Sequence, residues 1–165
     1  MSASADWANA YLEQARADLK GAKTMGASSA STFAMLLQMV FEKFAEAALL
    51  RSSQTTLAKV QGSHVAASRM ILFLRRNQAI LAPMGGPRIW EDVLGVVVEL
   101  ERAHPQLAPA AAPHLEYPWQ DAEGVVRYPA KDLAIATRFA SDPLVGARTL
   151  KFAMQLSSNF DAMFV

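Results

Sequence analysis

Apolar residues recur at helical spacing along most of the chain. From about Ser4 to Lys23, the residues Trp7, Tyr11, Leu12, Ala15, Leu19 and Ala22 make one stripe, with Glu13, Arg16, Asp18 and Lys20 on the other faces. Ser4 suits an N-cap and Asp6 the first turn. Gly26-Ala27-Ser28-Ser29 then breaks the pattern. A second helix is predicted from about Ala30 to Arg51, capped by Ser31 or Thr32. Its face of Phe33, Leu36, Leu37, Val40, Phe41, Phe44, Ala48 and Leu49 is wide enough to predict a central helix with neighbours on two sides.

Ser52–Gly62 is polar and predicts a connection. A third helix, about Ser63 to Leu81, carries Val65, Ser68, Leu72 and Ala79 on one line, with Ile71, Phe73 and Leu74 beside it. Pro83-Met84-Gly85-Gly86-Pro87 interrupts the chain. A fourth helix runs from about Arg88 to Ala103 through Ile89, Trp90, Val93, Leu94, Val97 and Leu100. Val96-Val97-Val98 also suits a strand, but Glu91, Asp92, Glu99 and Glu101 at helical offsets favour helix. From His104 to Lys131 an irregular stretch carries five prolines with Tyr117, Trp119 and Tyr128. A loop this long is often functional, and its aromatics predict that it folds back onto the helices. A last helix runs from about Lys131 or Asp142 to Phe160, with Pro143 in the first turn of its second part. The expected fold is all-α: an antiparallel four- to five-helix bundle with a Pro-rich loop, one domain over residues 1–165.

A net charge of +1 gives no broad field to draw the chain onto nucleic acid, although a local basic patch stays open. The absence of cysteine excludes disulfides and thiolate metal sites and fits a reducing cytoplasm, the expected location. Met1–Trp7 has no basic stretch followed by an apolar core, so no secretion signal is expected. Glu42, Lys43 and Glu46 interrupt Phe33–Leu50, and Arg69, Arg75 and Arg76 interrupt Val65–Leu81, so no membrane span is expected.

Three histidines carry most of the candidate chemistry. Glu101 and His104 form a Glu-x-x-His pair, as in di-iron bundles, but such sites need two pairs and further carboxylates. A solvated helix end is the simpler reading. His64 after Gly62-Ser63 is a ligand, a base, a nucleotide contact or a cap-region residue with a local hydrogen bond. Gly85-Gly86-Pro87-Arg88 offers N–H groups and a guanidinium to an anion, or is a plain turn. Arg69 and Arg76 share a face two turns apart and suit either a phosphate or solvent. Tyr117, Trp119 and Tyr128 could stack bases or anchor their loop. No Gly-x-Ser-x-Gly, phosphate loop or Gly-x-Gly-x-x-Gly is present, and no cofactor or complete metal set is expected.

Tyr11, Ala15, Asp18-Leu19 and Ala22, then Phe33–Leu50 with Glu42-Lys43 inside it, then Gly62-Ser63-His64 before an apolar helix, resemble the HEPN superfamily of helical nucleotide-binding domains. Val125-Val126-Arg127-Tyr128-Pro129 is similar to an Arg-Tyr-Pro segment before the last helix of some members. Ribonuclease members carry an arginine followed after four to six residues by histidine, a spacing that none of the three histidines shows. The resemblance therefore implies a non-catalytic member that binds a nucleotide, RNA or a partner protein such as a nucleotidyltransferase, commonly as a homodimer. It implies ligand contacts at Glu42, His64, Arg69, Arg127 and Tyr128. A divergent ribonuclease, a metal-dependent enzyme using Glu101 and His104, and a structural scaffold subunit are the alternatives.

Overall fold

α1 (Ala3–Met25) and α2 (Ala30–Arg51) run antiparallel: Ser4 Oγ donates to the Leu50 carbonyl at 3.4 Å, and Gly21 faces Leu36. The structure, a computed structural model, describes residues 3–26, 28–52, 55–62, 64–81, 84, 87–107 and 112–164, without the side chains of residues 3, 78, 81 and 87–90. α1 begins before Ser4, so Ser4 spends its hydroxyl on α2 and is no N-cap. Ala8, Leu12, Ala15, Leu19 and Ala22 form the buried stripe, whereas Trp7 is 46% exposed. Asp18 and Lys43 tie the two helices together at 2.8 Å, both side chains largely buried.

α2 is the central helix. It meets α1 and also the later helices α4 (Ala66–Arg76), α6 (Pro87–Arg102), α8 (Ala134–Ser141) and α9 (Pro143–Met163). Phe33, Leu37, Val40, Phe41, Phe44 and Ala48 are buried, as the wide face of the sequence predicts. Phe41 stacks on Phe152 and Phe44 on Phe160, with centroids 6.0 and 5.5 Å apart, while Phe33 meets Phe139 edge-on at 5.2 Å. Its N-cap is Ser29, not Ser31 or Thr32: the backbone is extended there, and Ser29 Oγ accepts the Thr32 N–H at 3.3 Å.

The predicted polar connection contains a short helix, α3 (Leu57–Gln61), pinned by Val60 against Ala8 and Leu50. The predicted third helix splits at Asn77, whose side chain donates to the Phe73 carbonyl, into α4 and α5 (Gln78–Leu81). α4 buries Met70, Ile71 and Leu74 and leaves Leu72 and Phe73 exposed. α6 buries Val93, Val96, Val97 and Leu100, so helix prevails over the strand reading of the valine run.

The Pro-rich stretch is not wholly irregular. β1 (Trp119–Gln120) and β2 (Val126–Arg127) pair antiparallel, Trp119 opposite Arg127. Gly124 supplies the positive φ of +79° in their loop. Asp121 organises that loop, its Oδ1 accepting from the Glu123 and Val125 N–H groups. Trp119 is buried on the core as expected, but Tyr117 and Tyr128 are exposed. α7 (Pro129–Asp132) follows, then α8 and α9, where Asp142 caps α9 and Pro143 sits in its first turn. The predicted final helix is thus three helices. No helix among the described residues is long and apolar enough to cross a membrane.

Candidate functional site

Gln38, Glu42 and Glu46 lie four residues apart on α2 and so share one of its faces. Gln38 Nε2 donates to Glu42 Oε2 at 3.0 Å. That leaves Glu42 Oε1 to meet His64 Nδ1 at 2.8 Å. His64 stands in the turn between α3 and α4, which α3 holds against α2. His104 lies two residues past the end of α6, and its ring stacks on that of His64, centroids 4.4 Å apart and planes 15° from parallel.

Residues 42, 64 and 104 thus converge from three parts of the chain. Ligand atoms of Glu42, His64 and His104 all lie within 4.8 Å of one another. The Glu42 and His64 side chains retain 16% and 17% of their exposure, and His104 retains 9%. His104 Nδ1 accepts the Gln106 N–H at 3.2 Å, which leaves the proton of the neutral ring on Nε2. Burial holds the His104 imidazole below the usual histidine range and His64 adds to that effect, while the charges of Glu42 and Glu116 oppose it. Burial also pushes the Glu46 carboxyl up to about 7, helped by the charge of Glu42 and opposed by Lys43. The site therefore joins a carboxylate oriented by an amide and two stacked imidazoles, with a second, buried acid one turn along α2.

The sequence-derived residues divide. Glu42 and His64 meet. Arg69 is exposed on α4 and lines a different feature, an apolar cavity of about 250 Å³ with Ala45, Met70, Phe73 and Phe164. Arg127 is held by two carboxylates, Asp121 at 2.7 Å and Asp132 at 3.6 Å. Tyr128 is 45% exposed and, just before α7, donates its backbone N–H to Asp132, the last residue of that helix. Arg127-Tyr128-Pro129 thereby joins the hairpin to α7.

Glu101 and His104 do not form the helix-end pair that their spacing suggests. Both are buried, so the solvated reading fails too. α6 stops at Arg102, which takes His104 off the helical repeat, and Glu101 Oε1 instead accepts the Ser68 N–H at 2.9 Å in the first turn of α4. Sequence reasoning missed His104 as a partner of Glu42 and His64; the only local signal was a histidine beside a proline stop. The backbone anion site at Gly85-Gly86 and the Arg88 side chain lie outside the described residues, as does the Trp90 side chain. No family model, curated protein or solved structure matches the chain.

Proposed function

We propose that this chain is a non-catalytic, HEPN-like binding module whose Glu42–His64–His104 centre receives a nucleotide or the base of an RNA. The observation that carries this reading is the 2.8 Å contact between Glu42 and His64 with His104 stacked on the same imidazole. A carboxylate accepts the amino or imino N–H groups of a base, and imidazole rings stack on base faces. The order of short motifs supports the family reading, since the Asp18 of Asp-Leu meets the Lys43 of Glu-Lys across α1 and α2. The missing arginine–histidine spacing supports the non-catalytic branch.

In this reading the helices form an antiparallel up-and-down core, and the module works as a homodimer. Exposed Leu72 and Phe73, the latter at the mouth of the apolar cavity, support a protein contact on α4, either a second copy or a nucleotidyltransferase-type partner.

A thermal-shift panel with ATP, GTP, CTP, UTP and a short single-stranded RNA tests the reading. A ligand present at ~100 times its dissociation constant adds about 2.7 kcal/mol, a rise of several degrees. A shift with one base or with RNA supports the module. A flat panel with every nucleotide and RNA would turn the reading to a protein partner.

A further inference from the structure

The centre has the wrong charge for a bare phosphate. Glu42 faces it, Glu46 follows one turn along the same face of α2, and Glu116 lies close enough for its charge to act on His104. Two imidazoles and one carboxylate, however, are the donor set of a borderline divalent metal ion with an open coordination position. We infer that Glu42, His64 and His104 together bind a zinc-class divalent ion, through which the module proposed above meets an anionic ligand.

Three features carry this assignment. The donors come from separate parts of the chain and fall within 4.8 Å of one another. On a tetrahedral ion with bonds of ~2.0–2.2 Å, ligand atoms sit about 3.3 Å apart, so rotation of the partly exposed Glu42 and His64 side chains toward His104 closes the set. Glu42 is already oriented: Gln38 holds Oε2, and Oε1 is turned to the imidazoles, the arrangement that outer-shell donors give to metal-bound carboxylates. His104 stacks on His64 with centroids 4.4 Å apart and planes 15° from parallel, so the fold already brings the two imidazoles together beside the Glu42 carboxylate.

Two contacts must be given up, and the first is the proton shared between Glu42 Oε1 and His64 Nδ1, whose place the ion takes. Coordination through His104 Nε2 needs the proton on Nδ1, and coordination through Nδ1 needs that lone pair. Either way the ion displaces the Gln106 N–H bond, whose 3.2 Å length lies at the long end of the ordinary range. The Gln106 amide is therefore a reporter of the site.

The test uses the full chain, stripped with a chelator and titrated with zinc by calorimetry, and with cobalt(II) for its visible spectrum. The expected result is one ion per chain, cobalt bands of four- or five-coordinate type, and a moved Gln106 amide resonance. Glu42→Gln, which keeps the shape of the side chain, and His64→Ala should each weaken zinc by roughly 100-fold or more, and Gln38→Leu by about 10-fold, with the helical circular dichroism retained. Absence of zinc binding overturns the inference, and so does stoichiometric binding that Glu42→Gln and His64→Ala leave intact. Zinc binding without any nucleotide binding supports the ion site and removes only the nucleotide reading. Nucleotide binding to a chain that takes no zinc overturns the ion site and leaves the module standing.

Discussion

Glu42 Oε1 lies 2.8 Å from His64 Nδ1, so a central helix and the turn before α4 are joined by one charge-assisted contact. The neighbouring carboxyl, Glu46, is raised to about 7 from 4.5 by burial, with the charge of Glu42 adding to the rise and Lys43 opposing it. The unfolded chain loses this proton near 4.5, whereas the folded chain keeps it until about 7. Its contribution is therefore full below about 4.5 and is lost as the pH rises toward 7. Glu46→Gln, which never ionises, should gain on the wild type over that window, by up to roughly 3 kcal/mol above pH 7. Urea unfolding at pH 5 and pH 8 measures it. An equal difference between the proteins at both values would mean that Glu46 is ionised throughout.

His104 has the opposite dependence. Its folded value is depressed, chiefly by burial, below the 6.5 of a free imidazole. Its contribution is present above about 6.5 and lost as the pH falls below that value. His104→Phe keeps a flat ring against His64 and cannot take up a proton. Its stability should fall less steeply than the wild type's between pH 6.5 and 5, followed by thermal unfolding.

Asp18 and Lys43 are 10% and 17% exposed, so removing Lys43 leaves the Asp18 carboxylate largely buried with Gln14 Nε2 as its hydrogen-bond donor and no cation beside it. Lys43→Ala should cost on the order of 3 kcal/mol, and the double change Asp18→Asn with Lys43→Met much less. A denaturant-based double-mutant cycle reads the coupling. Additive costs would show that the pair does not hold α1 to α2.

Arg127 bridges Asp121 in the hairpin loop and Asp132 in α7. Arg127→Ala should speed hydrogen exchange at the Val125 and Tyr128 amides and leave α2 and α9 unchanged. If the same change also abolishes nucleotide binding while exchange stays as in the wild type, Arg127 contacts ligand and is no clamp.

Much of this architecture is written in hydrophobic periodicity. α2 is legible because Phe33, Leu37, Phe41 and Phe44 recur on a face that neighbours cover, and α9 because Phe152, Leu156 and Phe160 repeat at helical spacing. Breaks within helices are less legible. Nothing in the apolar pattern marks Asn77, where a side chain competes for a backbone carbonyl, and Leu72 and Phe73 look like core yet face outward. The site is half legible. The family resemblance singles out Glu42 and His64. His104 completes the centre only because α6 ends at Arg102 and lets the following turn fold over His64, a relation between residues 40 apart that no local pattern encodes.

The most direct measurement is a calorimetric titration of ATP, GTP, CTP and UTP into the wild-type chain and into His64→Ala, with zinc present and absent. The proposed centre requires that at least one nucleotide bind the wild type and that His64→Ala weaken it by roughly 10-fold or more, with an unchanged helical spectrum. Nucleotide binding of equal strength to both proteins would place the ligand elsewhere and contradict the centre formed by Glu42, His64 and His104.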